Sequence, residues 1–130
     1  MNLTIEAFMT PMPHSIGPDQ TLTAAHEMMR NHDIRHLPVL QAGRLVGILS
    51  QRDLHLVETL EDVDPNDVTV EEAMTLDPYT VGPRAHLRTV ATAMAEHKHG
   101  SAVVMRDGRV VGIFTTVDAL RALASLIAEP

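Results

Sequence analysis

The sequence predicts an α/β (α+β) fold made twice, two β-α-β-β-α copies packed sheet to sheet about a pseudo-two-fold axis. Three observations carry this. The chain repeats itself without a gap, each copy alternates helical and strand-like apolar patterns, and 130 residues are enough for one core shared by two copies that could not each bury a sheet face alone.

Shifting the chain by 65 residues aligns 9–55 with 74–120 and gives roughly 15 identities. Met9-Thr10 matches Met74-Thr75, Gly17-Pro18 matches Gly82-Pro83, and Leu22 and Met29 match Leu87 and Met94. Gly43-Arg44 matches Gly108-Arg109, Val46-Gly47-Ile48 matches Val111-Gly112-Ile113, and Asp53 matches Asp118. Within each copy a short first strand, 14–16 or 79–81, precedes Gly-Pro. Apolar residues then fall at i, i+3 and i+7 (Leu22, Ala25, Met29; Leu87, Val90, Met94), which predicts amphipathic helices over 21–31 and 86–97. The runs 37–40 and 102–105, the turns 41–44 and 106–109, and the returns 45–49 and 110–114 predict hairpins with Gly where φ is positive. Ser50 and Thr115 stand as N-caps of final helices over 51–57 and 116–127. The domain reading is 1–57 for the first repeat with its N-terminal segment, 58–72 for an acidic solvated linker, and 73–130 for the second repeat.

Composition removes competitors. A net charge of −7 with one lysine, Lys98, repels polyanions, so no nucleic-acid partner is expected. No cysteine is present, which closes disulfides, thiolate metal sites and cysteine nucleophiles. Aromatics are limited to Phe8, Phe114 and Tyr79, so a bound ring would lie mostly against aliphatic side chains. The start MNLTIEAFMTPMP has no basic-then-apolar pattern and no run approaches the ~20 apolar residues of a membrane span. The expectation is a soluble cytoplasmic protein with no membrane partner.

Taken together, Phe-Met-Thr-Pro (8–11), Ala-Met-Thr-Leu (73–76), Ile-Arg-His-Leu-Pro-Val (34–39), Gly-Ile-Leu-Ser-Gln-Arg-Asp (47–53) and Gly-Ile-Phe-Thr-Thr-Val-Asp (112–118) resemble the tandem CBS (cystathionine-β-synthase) domain pair. The resemblance spans about Phe8 to Leu123, with Val103 standing where the first copy has Pro38. It implies a regulatory, energy-sensing type of module that is not an enzyme, carries no cofactor or metal, and binds an adenine nucleotide or S-adenosylmethionine. It also implies a homodimer, with Leu54–Val57 and Leu120–Ile127 as exposed helix faces, and an unidentified protein target.

In that family the Gly-hydrophobic-x-Ser/Thr-x-x-Asp motif reads the ligand, and the chemistry is compatible. A hydroxyl and free N–H groups at a helix N-terminus suit a phosphate, and an Asp one turn on can accept from ribose hydroxyls. The alternative is that Ser50 and Thr115 only cap their helices and that the two Asp residues only favour the dipole. Family geometry implies two composite clefts. One joins Thr10, His14, Ile34, Arg35 and His36 to Thr115, Val117 and Asp118; the other joins Thr75, Tyr79, His99, Gly100 and Ser101 to Ser50, Arg52 and Asp53. Arg35 and His36 favour the Asp118 cleft for an anionic ligand, because Gly100 and Ser101 stand at the aligned positions of the other.

Eight histidines leave room for a metal or proton sensor, and an adaptor with vestigial clefts is the other rival. His32 and His36 have metal-like spacing, but 33–35 reads as the end of the helix, and His32 and His97 suit its negative end. His26, His55 and His86 read as surface residues. No nucleophile-base pattern, P-loop or dinucleotide turn is present, because Gly43–Gly47 and Gly108–Gly112 open strands. The methionines at helical spacing, Met28, Met29 and Met94, read as core.

Overall fold

The computed structural model describes residues 1–129. In chain order the elements are β1 (Thr10–Pro11), α1 (Leu22–His32), β2 (His36–Gln41), β3 (Arg44–Ser50), α2 (Gln51–Glu58), α3 (Val70–Ala73), β4 (Thr80–Val81), α4 (Leu87–His97), β5 (Ser101–Arg106), β6 (Arg109–Thr115) and α5 (Thr116–Leu126), with 3-10 turns at Ile5–Ala7 and Pro65–Asp67. Two compact units result, and they are cut differently from the sequence repeats. One is His14–Pro78; the other joins Met1–Pro13 to the chain from Tyr79 onward.

In the His14–Pro78 unit, α1 starts at Thr21, whose Oγ1 accepts from the Ala24 N–H at 3.1 Å. It stops where Asp33 turns left-handed at φ 52°. Leu22, Ala25 and Met29 bury its apolar stripe against Ile16, Leu37, Val39, Leu49 and Leu54. The β2–β3 hairpin closes on Ala42-Gly43, both with positive φ (50° and 79°), the conformation that a two-residue turn between right-twisted strands requires. Ile16 bridges Val39 in parallel and Thr75 bridges Ile48 antiparallel, so both edges of the hairpin carry a short partner.

The acidic segment 58–72 is not a linker throughout. The Leu22 N–H donates to the Val68 carbonyl at 3.0 Å and the Val70 N–H to the Gln20 carbonyl at 2.8 Å. Val70, fully buried, joins the core. Exposed acidic residues thus surround an apolar anchor at the start of α3.

The second unit repeats the plan. A four-stranded sheet runs β1-β6-β5-β4, with β4 parallel to β5 and the other pairs antiparallel. Its hairpin turns on Asp107-Gly108 with φ 52° and 77°, and its register shifts between Val104 and Met105 as the first does between Val39 and Leu40. Val103 pairs with Ile113 as Pro38 pairs with Ile48, so the valine leaves the hairpin register intact. Ile5, Val90, Met94, Ala102, Val104 and Phe114 form its core. One residue of the expected exposed face 54–57 is corrected: Leu54 is 2% exposed and belongs to the core, whereas Leu56, Leu120, Leu123 and Ile127 are more than half exposed. In α2 the apolar stripe of a short helix needs Leu54 on the core side.

Candidate functional site

Each unit builds the same small constellation, and a missing side chain positions it. In the second unit β1 lies along β6, with Thr10 opposite Ile113 and Pro11 opposite Gly112. A Cβ on Gly112 would run into the Met9 thioether, so a larger residue there would have to push that side chain aside. In the first unit a Cβ on Gly47 would stand 2.6 Å from Met74 Sδ, and Thr75 exchanges N–H···O bonds with Ile48 at 2.9 and 3.0 Å. The recurring Met-Thr and Val-Gly-Ile motifs are therefore two halves of one contact. Met9 and Met74 were absent from the sequence-based site, although their coincidence with Gly112 and Gly47 in the repeat was the available signal.

That contact delivers a threonine hydroxyl to the Asp of the Ser/Thr-x-x-Asp motif. Thr10 Oγ1 donates to Asp118 Oδ1 at 2.9 Å. Asp118 Oδ2 accepts from the Thr115 N–H at 2.8 Å and from its hydroxyl at 3.1 Å, while the Asp118 N–H donates back to Thr115 Oγ1 at 3.4 Å. The carboxylate is 5% exposed, and the Arg121 guanidinium lies 3.9 Å from Oδ1. In the first unit the Asp53 N–H donates to Ser50 Oγ at 3.1 Å and the Ser50 N–H to Asp53 Oδ2 at 2.9 Å. Thr75 Oγ1 stands at 3.5 Å from Asp53 Oδ1, a loose contact on a half-buried carboxylate. The Thr10–Asp118 contact is short and buried; the Thr75–Asp53 contact is longer and more exposed.

The strand before each hairpin turn lies beside its own repeat's cap. His36 is opposite Ser50 and Ser101 opposite Thr115. The Gln51 N–H donates to the Arg35 carbonyl at 2.8 Å and the Thr116 N–H to the Gly100 carbonyl at 3.3 Å. Burial lowers the His36 pKa below 6.5, the Asp53 carboxylate pulls it back up, and Arg35 adds to the lowering. His14, Ile34, Arg35, His36, Ser50, Arg52, Asp53 and Thr75 all belong to the His14–Pro78 unit, and Thr10, Tyr79, His99, Gly100, Ser101, Thr115, Val117 and Asp118 to the other. Ser101 is buried, whereas Arg35, Arg52 and Val117 are exposed.

The histidines do more than decorate helix ends. His14 stacks on His32 with ring centroids 3.7 Å apart, and Tyr79 stacks on His99 at 4.8 Å. His86 is not merely a surface residue: its Nδ1 accepts the Arg88 N–H at 3.1 Å as the N-cap of α4. His36 lies in β2, so it shares no helix face with His32. Among the described residues no group of three or more His, Asp or Glu side chains could hold a metal ion, and no helix is long and apolar enough to cross a membrane. A recess of about 380 Å³ lies between α4 and α5, lined by Leu87, Ala91, Ala122, Leu123 and Leu126 among others. None of the candidate ligand residues lines it.

The chain belongs to the CBS domain family, whose model matches residues 5–57 and 70–125. Hypoxic response protein 1 of Mycobacterium tuberculosis is 36% identical over 109 residues, covering 83% of this chain and 76% of that protein. Among solved structures, an acetoin utilization protein (AcuB) from Vibrio cholerae superposes with TM-score 0.87 at 32% identity, covering all of both chains. The CBS domain pair of protein MJ0100, in complex with 5′-methylthioadenosine and S-adenosyl-L-methionine, gives TM-score 0.82 at 26% identity, covering 94% of this chain and 96% of that one. CBSX2 in complex with AMP gives 0.79 at 27% identity, with 95% and 97% covered. Structural neighbours of this chain thus hold adenosine compounds.

Proposed function

We propose that this chain is a regulatory module that binds an adenosine compound, of the AMP/ADP/ATP or S-adenosylmethionine class, and signals by changing how the chain packs in a homodimer. The observation that carries the reading is the duplicated latch, Thr10 with Thr115 and Asp118, and Thr75 with Ser50 and Asp53. Each presents a carboxylate that accepts hydroxyls, beside a helix N-terminus suited to a phosphate. Two neighbours of the same fold hold such ligands. The residues proposed to contact ligand beyond the latches are His14, Ile34, Arg35, His36, Arg52, Tyr79, His99, Gly100, Ser101 and Val117. The exposed apolar residues of α5 and its C-cap (Leu120, Leu123, Ile127) support the homodimer. A ligand acts on it only through unequal affinity for two packings.

The test is a thermal-shift panel of AMP, ADP, ATP, S-adenosylmethionine, NADH, guanine nucleotides and divalent metals. Adenosine compounds should raise the melting temperature, and Asp53→Ala together with Asp118→Ala should abolish the rise. A shift that survives both substitutions, or one produced only by metals, sinks the reading. Sedimentation with and without the active compound then tests signalling, which requires a change in association or shape.

A further inference from the structure

We propose that the recess between α4 and α5 is a binding site for a medium-chain carboxylate, an aliphatic chain of roughly eight to ten carbons with an anionic head. The site lies wholly within the second unit. It is independent of the adenosine reading, which stands or falls on its own tests.

The two repeats build this place differently. In the second unit about 380 Å³ lies open between Leu87 and Ala91 of α4 and Ala119, Ala122, Leu123 and Leu126 of α5. A shift of 65 residues puts Leu22, His26, Leu54, Val57, Glu58 and Glu61 at the matching positions of the first. There the space is filled and closed. Leu54 is 2% exposed, Val57 packs against the same core, and His26 Nδ1 meets Glu58 Oε1 at 3.2 Å across α1 and α2. In the second repeat alanine replaces the histidine, the leucine and the valine, and leucine replaces both glutamates. The packing atoms and the bridging pair are both lost. The backbone frame is retained, because the Leu87 N–H donates to the Leu3 carbonyl at 2.7 Å as the Leu22 N–H does to the Val68 carbonyl at 3.0 Å. Truncated side chains therefore make the hollow.

Its size and walls select the ligand. Recesses of roughly 300–1,000 Å³ hold small molecules, and a cavity of about 150 Å³ takes a benzene ring. A volume of about 380 Å³ thus suits a short aliphatic chain. The wall is aliphatic except at His86 and Arg88, at the start of α4. His86 Nδ1 already accepts the Arg88 N–H. The Arg88 side chain is exposed, and among the described residues it forms no ion pair. A guanidinium on a flexible stem at that end is available to a carboxylate that stays in water while its chain is buried. A second copy fits the recess less well. Ala119, Ala122, Leu123 and Leu126 follow i, i+3, i+4 and i+7 and turn one stripe of α5 to the recess, whereas the exposed Leu120 lies about 100° round the helix axis.

Methyl-detected NMR titration of the full chain with hexanoate, octanoate and decanoate tests this. The methyl signals of Ala91, Ala119 and Leu123 should move, and affinity should rise about tenfold for each two carbons added. Ala119→Leu with Ala122→Val, the first repeat's own residues, should reduce octanoate affinity about tenfold or more and leave the melting temperature no lower. If that pair loses its fold, Ala91→His with Leu123→Glu, which restores the first repeat's bridge, makes the same test. Arg88→Thr, which copies Thr23, should weaken octanoate about threefold and leave 1-octanol binding unchanged. Octanoate that moves none of these methyls overturns the proposal, as does a filled variant that binds it as tightly as the wild type. Sedimentation separates the other occupant: a filled variant that associates less, with octanoate inert on the wild type, makes the recess a socket for a second copy and overturns the proposal as well.

Discussion

Asp118→Ala should cost distinctly more stability than Asp53→Ala, although the two residues are repeat equivalents. Asp118 accepts at 2.9, 2.8 and 3.1 Å from the Thr10 hydroxyl and the Thr115 N–H and hydroxyl, and is 5% exposed. Hydrogen bonds to a charged group contribute about 1.5–3 kcal/mol, and a donor orphaned in the interior costs about as much again. Removing the carboxylate also relieves its desolvation, so a net loss of about 2–3 kcal/mol is expected. Asp53 has one firm partner, the Ser50 N–H at 2.9 Å, and Thr75 at 3.5 Å. Water replaces much of that at a half-buried site, leaving about 1 kcal/mol, the size of a capping contribution. With a urea m-value of ~1–3 kcal/mol/M, the gap corresponds to a midpoint about 1 M lower for Asp118→Ala. The chain has one tyrosine and no tryptophan, and Tyr79 lies in the unit that contains Asp118. Tyrosine fluorescence therefore reports that unit, while far-UV circular dichroism reports both. Equal midpoints for the two variants would refute the reasoning, because they would mean that the Thr10 contact stabilises nothing.

Three further outcomes follow from the same geometry. Gly112→Ala crowds a Cβ against the Met9 thioether and, because that side chain can swing aside, should destabilise by about 1 kcal/mol; adding Met9→Ala should recover part of that loss, and strict additivity of the two in a double-mutant cycle would deny the contact. The lowered His36 pKa means that the folded chain binds fewer protons than the unfolded chain between the folded value and 6.5. Stability from this group is full above 6.5 and lost as pH falls through that window, so urea midpoints measured from about pH 7 downward should show a slope that His36→Ser removes. Val70→Ala should cost about 2 kcal/mol by emptying a buried position, whereas Glu61→Gln, on the exposed part of the same acidic segment, should stay within about 0.5 kcal/mol; equal effects in denaturant titrations would restore the simple-linker picture.

Local patterns made much of the fold legible. The i, i+3, i+7 stripe placed Leu22, Ala25 and Met29 inward because helix geometry leaves a residue at that spacing no other face. The hairpins followed from Gly43 and Gly108 at positive φ, and the caps from Ser50 and Thr115, each of which bonds three residues along its own helix. The paired Ser/Thr and Asp of each latch were readable for the same reason. Val70 was not, because burial of a single apolar residue among carboxylates leaves no periodicity. His86 as a cap was not, because an imidazole rarely fills a position usually held by a hydroxyl or carboxylate.

By itself the sequence determined that one unit is built twice, which residues cap its helices, and that the two copies carry different charges around those caps. Tertiary structure decided which strand each Met-Thr segment joins, exchanging residues 1–13 and 74–75 between the repeats. It thereby decided that Thr10 closes on Asp118 at 2.9 Å while Thr75 stays 3.5 Å from Asp53. The physical reason is range. Caps, turns and stripes are settled by bonds within a few residues, whereas the Thr10–Asp118 contact spans 108 positions and needs β1 to lie along β6, where Gly112 leaves room for the Met9 thioether.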